Sequence, residues 1–120
     1  MLEMTHAIHI DALILQPAGR IDGVTAKSFE DIALALMTDA PTNVVVDMTN
    51  VNYLSSAGLR SLLIIAKQIK SAGGAAAICG LSENVAAVIT VSGFDAIFRV
   101  HENASAARAM LNQSSAAAKE

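Results

Sequence analysis

Two hydrophobic rhythms run along the chain. In "HAIHI" and "ALILQPA" apolar residues recur at every second position. That is the period of strands with one buried face, so His6–Ile10 and Ala12–Ala18 are expected to form a hairpin about Asp11. Pro17 is tolerated near a sheet edge or a strand end. In "DGVTAKSFEDIALALMTD" the period lengthens. Phe29, Ile32, Ala33 and Leu36 fall at i, i+3, i+4 and i+7, one face of a helix with Thr25 as its cap and Glu30 and Asp31 on the polar side. "DAPTN" should end that helix. "NVVVDM", from Asn43, is apolar on both faces and suits a central buried strand.

A second helix is expected from about Ala57 to Gly73 and Gly74, with Leu59, Leu62, Leu63, Ala66 and Ile69 as its core stripe. Ile64 and Ile65 fall outside that stripe, near Arg60, Ser61 and Gln68. "AAAICG" reads as another buried strand, and "SENVAAVITVSG" as a helix capped by Ser82 and stopped by Gly93. "AIFRV" suits a short last strand and "NASAARAMLNQ" a last helix, after which "SSAAAKE" is expected to fray. The order is ββαβαβαβα. It implies an α/β fold: a mixed sheet of about five strands, mostly parallel with an N-terminal antiparallel hairpin, and about four helices. One domain, 1–112, and a disordered tail, 113–120, are expected.

Composition narrows the function. The chain has 120 residues, 53% of them hydrophobic, and a formal net charge of -3. No basic stripe is present, so nucleic acid is not an expected partner. No apolar run approaches the roughly 20 residues of a membrane span, and no basic region precedes the first apolar residues as in a secretory signal. Direct membrane insertion is not expected, and a cytoplasmic location is. The single cysteine, Cys79, excludes an internal disulfide and reads as a buried thiol. His6 and His9 point to opposite faces of a strand, and His101 is isolated, so no metal site is expected. No phosphate-cradling glycine loop or catalytic Ser/His/Asp set stands out, so neither an enzyme nor a cofactor is indicated.

In sheets of this kind the functional surface tends to lie where strand ends meet helix starts. "NYLSSAGLRSLL", residues 52–63, is such a junction. Its serine pair suits a helix cap and is also a candidate site of modification. The longer stretch "NVVVDMTNVNYLSSAGLRSLLIIAKQIKSAGG" resembles the central signature of STAS domains, in particular that of the bacterial anti-sigma factor antagonists. "GRIDGVTAKSFEDIA" upstream and "GGAAAICGLSENVAAVITVSGFDAIFRV" downstream are similar in layout. The resemblance covers about residues 8–112.

The resemblance implies a regulatory binding module. In that family the serine two residues before the glycine is phosphorylated, which here is Ser56, before Gly58. Ser55 replaces the family's preceding Asp and is the second choice, and Ala57 follows. The implied partners are an anti-sigma factor that is also an ATP-binding serine kinase, and a PP2C-type phosphatase that resets the serine. The implied partner-binding residues are Asp22, Asp47, Ser55, Ala57, Gly58 and Arg60. Ile64, beside Arg60 on the helical wheel, extends the patch. Asp22 and Asp47, both near expected strand ends, are expected to share one sheet edge with Ser56. An alternative from another class is a STAS subunit of an ABC-type lipid transport complex, which binds the ATPase without phosphorylation.

Overall fold

The structure is a computed structural model and describes residues 2–38, 40, 42–94 and 97–119, with 112–119 described in backbone only. The elements are β1 (Leu2–Ile8), β2 (Leu13–Ile21), α1 (Ala26–Met37), β3 (Val44–Asp47), β4 (Asn50–Leu54), α2 (Ser56–Ser71), β5 (Ala76–Cys79), α3 (Glu83–Ser92), β6 (Arg99–His101) and α4 (Ala104–Lys119). The sheet runs β1-β2-β3-β5-β6, with β4 also paired to β2. β1 and β2 are antiparallel, and all other pairs are parallel. The mixed α/β fold with its antiparallel hairpin is therefore as expected, with one strand more.

The hairpin is shifted from its expected place. Its register runs from Leu2↔Gly19 to Ile8↔Leu13, and the chain reverses where His9 N–H donates to the Ala12 carbonyl at 2.9 Å. Ile10 sits at the tip, fully exposed; its alternation with polar neighbours extended the strand pattern into the turn. Pro17 lies inside β2, not at its end. It falls between the two parallel ladders, since β3 pairs as far as Leu15 and β4 begins at Ala18, so pairing on that side is already interrupted.

The sequence reading missed β4. Asn50 and Asn52 dilute it, and its buried residues, Val51 and Leu54, are three apart, so neither a strand nor a helix period emerges. It prolongs β3 alongside β2 after a break at Met48 and Thr49. A register shift between Gly19 and Arg20 accommodates it, a bulge that locally bends and twists the strand.

The larger core lies under α1, α2 and α3. Phe29, Leu62, Ile65, Ile69, Ile89 and Phe98 pack there against Leu13, Leu15, Val46 and Ile78. On the other face Ala107 and Leu111 of α4 cover Ile14, Val45, Ala77 and Cys79, and Arg108 ties α4 to Asp11 at 3.0 Å. Within α2 the buried stripe is Gly58, Ser61, Leu62, Ile65, Ala66 and Ile69. Ile65 is thus core, and Leu59 and Leu63 are only partly buried. The reason is lateral: α1 flanks α2 on the Ser61 side, where the Ser61 hydroxyl donates to the Ala26 carbonyl at 3.0 Å, rotating the stripe toward α1. Gly73, with φ +84°, ends α2 in the left-handed region. Met1, Asp39, Pro41, Asp95, Ala96 and Glu120 lie outside the described residues, as do parts of the expected helix stop "DAPTN" and of "AIFRV". The backbone of α4 passes the expected boundary at 112 and continues to Lys119.

Candidate functional site

The serine junction is built on the end of β2. Ser55 N–H donates to the Ile21 carbonyl at 2.9 Å, which carries the β2–β4 pairing one step past Ile21↔Leu54. There the chain turns into α2. Ser55 is the N-cap, with extended backbone (φ -93°, ψ 175°), and its side chain accepts from Gly58 N–H at 3.2 Å. One of the otherwise unpaired donors of the first turn is thereby satisfied. Ser56 is the first residue of the helix. It is exposed, and its hydroxyl has no hydrogen-bond partner among the described residues. The two serines therefore differ: one is committed to the cap and the other faces solvent.

Gly58 is required by space. A Cβ there would lie 2.6 Å from Leu54 Cδ1, 2.9 Å from Ile21 Cγ2 and 2.9 Å from the Ile21 carbonyl oxygen. The close approach holds the first turn of α2 down on β2 and β4. Ala57 is partly buried beside it, and Arg60, one turn along, is exposed. Ile64, a turn further on, is 37% exposed.

Asp22 stands next to this turn, abreast of Ser55 by strand register. It accepts from Val24 N–H at 3.0 Å and Thr25 N–H at 3.1 Å. These two backbone donors, chiefly, hold its carboxyl below the ordinary value. Thr25 occupies the cap position of α1, but its side chain makes no cap bond. Its hydroxyl donates instead to the Arg20 carbonyl at 2.7 Å, and Asp22 takes over the capping of the turn.

Asp47 lies elsewhere. Val46 is abreast of Leu15, which puts Asp47 beside Gln16. Ser55 is abreast of Asp22, so β2 separates the two by roughly 20 Å at about 3.3 Å per residue. Asp47 binds Thr49 through both the backbone N–H and the hydroxyl and faces Cys79, whose thiol is pushed up to about 12 by burial and then by the Asp47 charge. The structure thus brings Asp22, Ser55, Ser56, Ala57, Gly58 and Arg60 together at one corner and does not bring Asp47 to it. The interposed β4 is the reason.

Three features of this corner escaped the sequence reading. The Arg20 guanidinium lies 4.1 Å from the centroid of Tyr53, a cation–π stack that Asp22 supports at 3.5 Å. Val24, beside Asp22, is 90% exposed. Leu59, Ala87, Val88, Val91 and Ser92 line an apolar groove of about 340 Å³ between α2 and α3, with Val91 89% exposed at its rim. Tyr53 carried a usable signal, being the single tyrosine of a chain with 3% aromatic residues; the other two depend on tertiary placement.

Residues 2–107 match the STAS domain family. BtrV of Bordetella bronchiseptica, which carries the name anti-sigma factor antagonist, is 35% identical over 91 residues, spanning 76% of this chain and 78% of BtrV. Among solved structures, an anti-sigma factor antagonist from Mycobacterium paratuberculosis superposes with a TM-score of 0.85 at 22% identity, covering 93% of this chain and 95% of that one. The Bacillus cell fate determinant SpoIIAA in its phosphorylated form superposes with a TM-score of 0.66 at 13% identity, covering 88% and 96%. Fold, junction and family match agree, and the chain belongs to the STAS domain family.

Proposed function

We propose that the protein is an anti-sigma factor antagonist, a regulatory binding module and not an enzyme, working in a partner-switching circuit. Unphosphorylated, it binds an anti-sigma factor that is also an ATP-binding serine kinase, and the sigma factor is freed. The kinase phosphorylates Ser56 and releases the protein, and a PP2C-type phosphatase resets it. ATP is the kinase's ligand. The circuit operates in the cytoplasm; among the described residues no helix is long and apolar enough to cross a membrane.

The observation that carries this reading is the division of labour between the serines. Ser55 is occupied as the cap, whereas Ser56 presents an exposed hydroxyl at a helix start. The names of relatives such as BtrV support the partner class. That SpoIIAA has been seen phosphorylated supports the compatibility of this fold with a phosphate.

The physics of the switch follows from the position. A phosphate adds about 1.5 to 2 negative charges. At a helix N-terminus negative charge is stabilising by about 0.3–1 kcal/mol, and Arg60 lies one turn on. Phosphorylation should therefore leave the fold intact and act on the partner. An uncompensated charge in a formed interface costs about 3–5 kcal/mol, which is two to four decades of affinity at about 1.4 kcal/mol each. Asp22, Ala57, Gly58, Arg60 and Ile64 belong to the same proposed face.

The test is a pull-down from the source organism's lysate with wild type, Ser56→Ala and Ser56→Asp as baits, bound proteins being identified by mass spectrometry. Wild type and Ser56→Ala should retain a small ATP-binding serine kinase that Ser56→Asp loses. Equal retention of a transporter ATPase by all three baits would overturn the switch in favour of a transport subunit.

A further inference from the structure

The sheet leaves one long edge open. β6 ends it on one side with only three residues, and α3 packs against β4. β1 ends the other side with seven. The hairpin register fixes which of its groups point outward. His9 N–H donates to the Ala12 carbonyl, while Leu13 N–H turns away to the Asn43 carbonyl. The bonded pairs of the hairpin are therefore Glu3↔Ala18, Thr5↔Gln16 and Ala7↔Ile14. The N–H and C=O groups of Leu2, Met4, His6 and Ile8 point away from β2, and among the described residues they have no backbone partner.

Exposed edges are normally blunted by Lys, Pro, a bulge or brevity. β1 holds no Lys, Arg or Pro, and it pairs with β2 without a register shift. Ile8, at its end, is 59% exposed.

The strand is also complementary to itself. When two identical strands pair antiparallel about a two-fold axis, facing residues lie on the same side of the joined sheet, so their numbers sum to an even number. With Thr5 on the axis, Leu2 faces the partner's Ile8, Met4 faces the partner's His6 and Glu3 faces the partner's Ala7. This register engages every outward N–H and C=O of β1, covers the exposed Ile8 with Leu2, and sets no like charges opposite one another. A shift by two positions leaves Leu2 or Ile8 unpaired, and the shift toward the hairpin turn also sets His6 against His6.

We propose that β1 is a dimerisation edge, through which two copies of the chain join their sheets antiparallel about a two-fold axis at Thr5. Leu2 and Met4 already pack on the core of their own copy, so the ladder forms on a strand that is held in place and little ordering is required. The serine junction stays open. Asp22, abreast of Ser55, lies roughly 20 Å along β2 from Gln16, the neighbour of Thr5. The dimer therefore presents its two Ser56 hydroxyls at opposite ends, and the proposal is independent of the switch.

Sedimentation equilibrium of the full chain, from about 10 μM to about 1 mM, tests it, since so small an interface belongs to the weak, transient class. The mass should rise from one chain to two with concentration. Thr5→Lys, at an exposed position, sets two like charges opposite each other on the axis. It should weaken the dimer at least tenfold and leave the urea midpoint nearly unchanged. Two cysteine variants read the register directly. Facing residues of a non-hydrogen-bonded pair have Cα atoms about 4.5 Å apart, within disulfide reach, so Thr5→Cys should cross-link two copies in a glutathione redox buffer. Glu3→Cys, equally exposed, lies roughly 13 Å from its own counterpart and should not. A chain that stays monomeric to about 1 mM would overturn the proposal; an edge that binds only a strand of another protein gives that result. Dimerisation of Thr5→Lys as strong as wild type, or equal cross-linking of the two cysteine variants, would overturn it as well.

Discussion

Gly58→Ala is the most direct test of how the serine junction is built. Gly58 has no positive φ, so alanine is conformationally acceptable there, and in an ordinary helix it would gain about 1 kcal/mol. Here the added methyl meets Leu54 Cδ1 at 2.6 Å and the Ile21 carbonyl oxygen at 2.9 Å. The leucine tip can rotate, but the carbonyl belongs to β2 and accepts from Ser55 N–H. Relief therefore requires the first turn of α2 to lift. Overpacking of this kind costs about 1–3 kcal/mol. Lifting the turn also strains the Ser55–Gly58 cap bond, worth about 1 kcal/mol. The sum is a net loss of about 1–3 kcal/mol after the propensity gain. In urea that lowers the midpoint by about 1 M with an unchanged slope. A cycle with Ser55→Ala sharpens the test: if the methyl already breaks the cap, the double variant should cost less than the sum of the singles. A Gly58→Ala protein as stable as wild type, or more so, would refute the close-approach argument.

Other outcomes follow from the same geometry. Ser55→Ala should cost about 1 kcal/mol of stability while Ser56→Ala stays within about 0.5 kcal/mol of wild type, both read from urea midpoints. Ile65→Ala should cost about 2–5 kcal/mol because Ile65 is fully buried, whereas Ile64→Glu should leave the midpoint nearly unchanged and weaken partner binding in the pull-down. The Asp22 carboxyl is held below its ordinary value of 3.8. Its stabilising contribution is therefore fully present above that pH and lost as pH falls through the lower folded value; Asp22→Asn should flatten this part of the acid limb of a urea-midpoint profile. The Cys79 thiol, pushed up to about 12, should resist a thiol reagent near pH 8 in the folded protein and react at the rate of global unfolding; fast stoichiometric labelling would contradict its burial.

The parts of the fold legible in the sequence are those whose burial follows a single period. Phe29 and Ala33 marked α1, Val44–Val46 marked a doubly covered strand, and Ser82 and Gly93 bracketed α3 with the cap and the left-handed stop that those residue types favour. The pattern failed where a neighbour decided the outcome. Nothing in the residues of α2 says that α1 will flank the Ser61 side, so the stripe was placed too far toward Leu59 and Leu63. Ile10 kept the strand alternation although it sits at the hairpin tip. The serine pair itself was visible as a cap, but its division into one bonded and one free hydroxyl depends on which side chain the Gly58 N–H meets.

The missed β4 had the largest consequence for the candidate site. With β3 ending at Asp47 and a helix starting near Ala57, the intervening residues read as a loop, and a loop places Asp47 and Ser56 at the same sheet edge. As a strand those residues must instead advance along β2, because each pair from Ala18↔Asn50 to Ile21↔Leu54 moves the chain further from Asp47. The pairing is made possible by β2 being longer than β3, which leaves Ala18–Ile21 without a partner on that side until β4 supplies it. An unpaired stretch of backbone next to a buried face is costly, and that cost is what draws Asn50–Leu54 into the sheet despite their weak strand pattern. The same pairing sets Tyr53 beside Arg20 and Ser55 beside Asp22. The corner that presents Ser56 is thus assembled by the far end of β2, and an interruption of the β2–β4 ladder should displace Ser56, Arg20 and Asp22 relative to one another while leaving Asp47 and Cys79 in place.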